Sequence, residues 1–129
     1  MEYLSCKLYN KIRRLINLRI KFANKGTTLI VSILGELDHH SAEYARQKID
    51  NEIMKSTTKN IVFDFSKLSF MDSSGIGVIM GRYKNVRELN GKTAIVNSDS
   101  RIKRIVEMAG ILKIMPMYGS INEAIQNMQ

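Results

Sequence analysis

From Leu18 onward, short apolar runs rich in β-branched residues alternate with longer stretches of helical periodicity, most of which open on Ser or Asp. That alternation confines the chain to an α/β architecture, since strands separated by helices pair in parallel through crossover connections. Leu18-Arg19-Ile20-Lys21-Phe22 alternates with period two, Lys25-Gly26 supplies a turn, and Thr28 to Leu34 is a β-branched run, so the fold opens with an antiparallel hairpin. Gly35 to Ser41 breaks the pattern, and Ser41 or Asp38 caps a helix in which Ala45, Ile49 and Ile53 recur, running to about Lys55. Asn60 to Phe65 is the next strand, and a helix from about Ser74 to Leu89 stops at Asn90-Gly91 as a C-cap pair. Thr93 to Val96 is a further strand. Ser98-Asp99-Ser100 caps a helix with Ile102, Ile105, Val106 and Met108 on its apolar side, ended by Gly110. Lys113 to Met117 reads as an edge strand tolerant of Pro116, and Ser120 caps a last helix through Ala124 and Ile125. The order β-β-α-β-α-β-α-β-α implies a mixed sheet with a parallel centre, an antiparallel N-terminal hairpin and helices packed against it.

At 129 residues, with 44% apolar and 25% charged side chains, this is one domain with enough material for a core. The single Cys6 excludes an internal disulfide framework and fits a reducing, cytoplasmic setting. No apolar run reaches the roughly 18 residues that span a bilayer. The net charge of +8 is concentrated at one end: Lys7, Lys11, Arg13, Arg14, Arg19 and Lys21 face Glu2 alone, so five of the excess positive charges lie in residues 1–21. The remainder is nearly ordinary and carries neither a basic reading helix nor an aromatic stacking platform, which argues against direct nucleic-acid binding. Residues 1–17 form a basic arm ahead of a domain spanning 18–129. Leu4, Leu8, Ile12, Leu15 and Ile16 recur at helical spacing in that arm, a pattern compatible with an anionic membrane surface, although a mobile extension is the plainer reading and membrane binding is not expected.

The chemistry concentrates in Leu68-Ser69-Phe70-Met71-Asp72-Ser73-Ser74-Gly75-Ile76-Gly77, where an apolar strand runs into two adjacent hydroxyls at a helix start. A hydrolase nucleophile elbow needs Gly-x-Ser-x-Gly, but Met71 and Asp72 stand two residues before the two serines. His39 and His40 both precede the serines and adjoin each other, so at most one points at a shared site; a polar loop is their simpler role. One distant Cys and a His-His pair make no metal set. Gly75, Gly77 and Gly81 are spaced one residue too long for a dinucleotide fingerprint, so no cofactor is expected. The structural use of Gly75 and Gly77 is close approach of the first helical turn to the sheet, with Ile76, Val78, Ile79 and Met80 largely buried behind them.

Two roles remain open for this junction on the residues alone. Asp72 or Ser73 caps the helix, worth about 1 kcal/mol. Alternatively Ser73 is a modification point: a phosphate there meets unsatisfied N–H groups and the positive helix end, and adds a charge of about −1.5 to −2 that a partner surface would feel.

Gly35-Glu36-Leu37-Asp38-His39-His40, with Leu68 to Gly77 and the following Val78-Ile79-Met80-Gly81-Arg82-Tyr83-Lys84, resembles the STAS-domain family, and in particular its sporulation branch of anti-sigma factor antagonists. The resemblance extends from about Leu18 to Ile125 and implies the STAS fold. It implies an antagonist that, unphosphorylated, binds a nucleotide-bound anti-sigma factor serine kinase and so releases a sigma factor. Phosphorylation would fall on Ser73, with a serine phosphatase reversing it. Asp72, Ser74, Gly75 and Gly77 would form the contact surface, and Asp38 would match a loop aspartate that meets the kinase. The residues also admit a STAS module of a stress-response pathway, a ligand-sensing scaffold, or an esterase using Ser73 or Ser74. The arm before Leu18 is longer than the family's usual lead-in and inherits nothing from the resemblance.

Overall fold

The ten-residue strand β2 (Thr28–Leu37) organises a six-stranded sheet, because both of its halves serve as templates. The structure is a computed structural model that describes residues 17–128, so the basic arm other than Asn17 lies outside the described residues. Antiparallel to β2 runs β1 (Leu18–Lys25), joined to it through a two-residue turn at Gly26-Thr27, one position beyond the turn expected from Lys25-Gly26. On its other side, the first half of β2 pairs in parallel with β3 (Asn60–Asp64) and the second half with β4 (Leu68–Met71). The sheet continues from β3 to β5 (Thr93–Val96) and the two-residue β6 (Met117–Tyr118), both parallel.

Where the sequence suggests a break at Gly35, the strand instead continues to Leu37. The register shifts between Gly35 and Glu36, and Gly35 adopts φ +97 with the Asn17 carbonyl 2.4 Å from where a Cβ would stand. Only glycine meets both conditions, so the residue that looked like a terminator is a bulge that re-aims β2 towards β4. The strand expected over Asn60 to Phe65 is β3, and the sheet gains one strand that the expected order lacks: the chain leaves β3, turns at Ser66-Lys67 and returns to β2 as β4.

Helices α1 (Ala42–Lys55), α2 (Ser73–Glu88) and α3 (Ser100–Met108) share one face of the sheet with a 3₁₀ turn at Ile111–Lys113. Their apolar sides meet Leu29, Val31, Ile33, Ile61, Phe63 and Ile95, alternate residues of the central strands, all fully buried. The intervening residues Ile30, Val62, Ala94 and Val96 face the other way and are covered by α4 (Ile121–Met128) through Ala124 and Met128. Ser120 caps α4 as expected, its hydroxyl 3.2 Å from the Glu123 N–H.

Two local expectations change, at Met108 and at Lys113 to Met115, while the helix stop at Asn90 holds. Met108 projects into solvent at 83% exposure, because the buried face of α3 is set by Ile102 and Val106 with Ile105 half-buried. Asn90, at φ +62, takes the left-handed position after α2. Lys113 to Met115 belong to the 3₁₀ turn and its exit, so only Met117 and Tyr118 pair with β5. Arg82 is buried at 6% exposure and brings its Nε 2.9 Å from Asp50 Oδ1, a charge contact tying α2 to α1.

Candidate functional site

The carboxyl ends of β2 and β4 lie side by side, in register at Leu37 and Met71, so the Asp38–Ser41 loop and the Asp72-Ser73 junction emerge together. This is the edge of an α/β sheet at which binding sites form, since loops leaving adjacent parallel strands converge there.

Asp72 joins the two segments. Its Oδ1 accepts from the N–H groups of Ser74 at 2.8 Å and Gly75 at 3.4 Å, capping α2, and its Oδ2 accepts from the His39 N–H at 3.2 Å. The Asp72 N–H in turn donates to the Leu37 carbonyl at 3.3 Å. Burial pushes the carboxyl pKa up, but the N–H donors of Ser74, His39 and Gly75 outweigh it and the net shift is downward. The group is therefore an anion across the physiological range.

With Asp72 as the cap, the Ser73 hydroxyl is left without structural duty. Ser73 is the first residue of α2 and exposed, and its hydroxyl makes no hydrogen bond to a described residue. One expectation is corrected here: the helix N–H groups of Ser74 and Gly75 are already taken by Asp72 Oδ1, and the Ile76 N–H bonds the Asp72 carbonyl at 3.2 Å. A phosphate on Ser73 would gain the helix-end field but not those donors, and would stand beside an ionised carboxylate.

Gly75 makes the close approach expected of it. An added Cβ would stand 2.5 Å from Met71 Cγ and 2.7 Å from the Leu37 carbonyl oxygen, so the α2 backbone packs against the Leu37 backbone at the end of β2 and the Met71 side chain at the end of β4. Gly77 does not: it is exposed, with nothing within 4 Å of a Cβ, and Ile76 and Met80 are only half-buried. Val78 and Ile79 alone carry the buried side there.

Asp38 is half-buried and turned into its own loop, its Oδ1 accepting from the N–H groups of His40 at 2.9 Å and Ser41 at 3.1 Å. Ser41, at the N-cap position of α1, makes no side-chain cap and instead donates its hydroxyl to the Glu36 carbonyl at 2.8 Å. His39 comes closer to the junction than a plain loop role implies, its Nδ1 3.7 Å from Asp72 Oδ2, yet no hydrogen bond joins either histidine to Ser73. Among the described residues, no three His, Cys, Asp or Glu side chains cluster to hold a metal.

A residue that the sequence reading passed over is Phe70, paired with Glu36 across the β2–β4 register and 47% exposed. It shares the parity of buried Leu68, and the shift at Gly35 separates their fates. Its position two residues before Asp72 was the only signal, and nothing in the sequence marked it as outward-facing.

The STAS domain profile matches residues 19–124, which include all six strands but Leu18 and everything just described. The chain belongs to the STAS domain family. It is 37% identical over 114 residues to the anti-sigma F factor antagonist of Paenibacillus polymyxa, covering 88% of this chain and 97% of that protein. To the anti-sigma F factor antagonist of Lysinibacillus sphaericus it is 34% identical over 84 residues, 65% of this chain and 72% of the relative. The anti-sigma-B factor antagonist of Bacillus subtilis matches at 25% over 111 residues, 86% of this chain and the whole of that one. Among solved structures, this STAS domain superposes on unphosphorylated SpoIIAA with a TM-score of 0.65 at 29% identity, covering 85% of this chain and 96% of that one. On phosphorylated SpoIIAA of Bacillus the TM-score is 0.67, again at 29% identity, over 86% and 100%. The sporulation-branch resemblance read from the Asp-His-His and Asp-Ser-Ser-Gly blocks agrees with the higher identity to the sigma F relatives.

Proposed function

We propose that this STAS domain is an anti-sigma factor antagonist of the sporulation type, switched by phosphorylation of Ser73. The observation that carries the reading is the Ser73 hydroxyl, exposed and without a hydrogen bond to any described residue because its neighbour Asp72 does the capping, in a chain that covers 97% of an anti-sigma F factor antagonist. Unphosphorylated, it binds an anti-sigma factor serine kinase through a surface formed by Asp72, Ser73, Ser74 and Gly77 with the adjoining Asp38 loop, positioned by the buried Gly75 beneath it. Exposed Gly77, with open space around it, gives a partner backbone access to the first turn of α2. The nucleotide belongs to the kinase, the compartment is the cytoplasm, and residues 18–129 suffice for binding without residues 1–17.

The switch is electrostatic. Phosphorylation adds about −1.5 to −2 charges next to the ionised Asp72, whose carboxylate oxygens are already committed to Ser74, Gly75 and His39. The Ser74, Gly75 and Ile76 N–H groups are already bonded to Asp72, so the phosphate charge projects outward and meets a partner shaped for a hydroxyl. The similar superposition on both forms of SpoIIAA supports a switch that leaves the fold in place. A serine phosphatase resets it. The chain acts by binding, not catalysis, so a serine-reactive fluorophosphonate should leave it unlabelled.

Incubation with the cognate anti-sigma kinase and ATP, followed by peptide mapping, should place one phosphate on Ser73. Ser73→Ala should bind the kinase and resist the switch, and Ser73→Asp should bind weakly while unfolding at the same denaturant concentration as the parent. Phosphate absent from Ser73 while the kinase is active would end this assignment.

A further inference from the structure

At the far end of α2 from Ser73, a second site is built where the edge of β5 meets the exit of the 3₁₀ turn and the end of α4. Tyr83 lies ten residues along α2 from Ser73, about 15 Å at the helical rise. There a cavity of about 260 Å³ is walled by Ile114, Pro116, Met128 and the tyrosines Tyr83 and Tyr118. Among the described residues, Arg87 and Lys92 line it and no carboxylate does, which gives the site a positive rim. Arg87 is held there: its guanidinium lies 5.9 Å from the centroid of the Tyr83 ring and donates to the Tyr83 hydroxyl at 3.4 Å.

The wall also contains polar groups without partners. Thr93, at 5% exposure, lines the cavity, and its buried hydroxyl has no hydrogen-bond partner among the described residues. Its backbone is similarly placed. Lys92 accepts from Ile61 across β3, while Ile95 donates to Pro116 on the opposite side, so by ladder alternation the Thr93 N–H and C=O point to the β6 side. The residue that would return a bond to the Thr93 carbonyl there is Pro116, which has no N–H. Buried polar groups in native folds find partners, and the unpartnered Thr93 hydroxyl in the cavity wall marks where an occupant supplies one.

We infer that this cavity binds a small organic anion, an acidic head on an aromatic or branched apolar body, with the head between Arg87 and Lys92 and the body against Tyr83, Tyr118, Ile114 and Pro116. The head is a carboxylate or a phosphoryl group, two sources of the same chemistry. The site does not depend on the role of Ser73, and nothing in it overlaps the Asp72 junction.

Amide chemical shifts of the full chain, titrated separately with benzoate, phenyl phosphate and neutral benzyl alcohol, test the inference. Saturable shifts at Gly91 to Thr93, Ile114, Tyr118 and Asn127 are expected, with dissociation constants on the order of 1–10 mM for ligands this small. At least one anion should bind about fivefold or more tightly than benzyl alcohol, and whichever anion binds better identifies the head group. Replacing Arg87 and Lys92 together by Gln should weaken that anion about fivefold and leave benzyl alcohol unchanged. Asn127→Trp, at an exposed helix position on the cavity rim, should block all three without altering the remaining spectrum. No saturable shift up to about 20 mM, where even weak fragments register, would overturn the inference. So would shifts scattered over surface lysines, or equal affinity for the anions and the neutral alcohol.

Discussion

Replacing Asp72 with Ala removes one carboxylate from three backbone partners, and its cost follows from their geometry. The cap on α2, dominated by the 2.8 Å bond from the Ser74 N–H with the 3.4 Å Gly75 contact adding little, is worth about 1 kcal/mol. The bond from the His39 N–H at 3.2 Å lies at the surface and adds about 0.5–1 kcal/mol. The His39 ring, 68% exposed and 3.7 Å away, contributes negligibly in solvent. The sum, about 2 kcal/mol, divided by an unfolding entropy of about 2.1 cal/mol/K per residue over this length, lowers Tm by about 7 °C. Urea denaturation and thermal scans read both numbers. Asp72→Asn separates acceptor from charge: the amide oxygen still receives the Ser74 N–H, so about half of the loss should remain. The folded-state pKa of Asp72 is lowered, so its charged-form contribution is fully present above the unfolded value of about 3.9 and is lost as pH falls through the folded pKa. The gap between the parent and Asp72→Asn should therefore be constant near neutrality and close below about pH 4. A loss under about 0.5 kcal/mol for Asp72→Ala, or a gap that persists in acid, would refute the view of Asp72 as the brace between the two loops.

Gly75→Ala forces a methyl to 2.5 Å from Met71 and 2.7 Å from a backbone carbonyl, and should cost about 1–3 kcal/mol in urea unfolding. Gly77→Ala meets open space on an exposed helical turn and should be neutral or stabilise by about 0.5–1 kcal/mol, yet weaken kinase binding, measured by calorimetry. Phe70→Ala should leave stability within about 0.5 kcal/mol while weakening that binding about tenfold or more, as expected of an exposed aromatic beside the junction. Arg82→Met, which keeps the stem and removes a buried guanidinium whose Nη1 has no hydrogen-bond partner among the described residues, should be neutral or stabilising in urea denaturation; a loss above about 2 kcal/mol would assign the Asp50 contact a larger role.

Much of the fold was legible because its signals are local. The hairpin alternation from Leu18, the Ala45–Ile49 spacing, and the Asp99 and Ser120 caps each depend on a few neighbouring residues, and each element appears where they place it. What was not legible depended on contacts distant in sequence. Gly35 reads as a breaker until Asn17 is seen against it, and Leu68–Met71 becomes a separate strand only because β2 is long enough to receive it beside β3. Met108 and Phe70 look like core residues by type, but their exposure is set by which side of α3 and β4 the sheet happens to cover.

The same division applies to the site. The sequence alone determined that a Ser-Ser pair begins a helix after an apolar strand, with no elbow glycine, metal set or cofactor loop beside it, and the Asp-Ser-Ser-Gly and Asp-His-His blocks determined the family. Tertiary structure decided which residue is the cap and which is free. Capping by either Asp72 or Ser73 is equally compatible with the local sequence, and the choice falls to Asp72 because its second oxygen reaches the His39 N–H, 33 residues away, across two strands held in register. A backbone donor brought in by the fold commits the carboxylate, and that commitment leaves the Ser73 hydroxyl exposed.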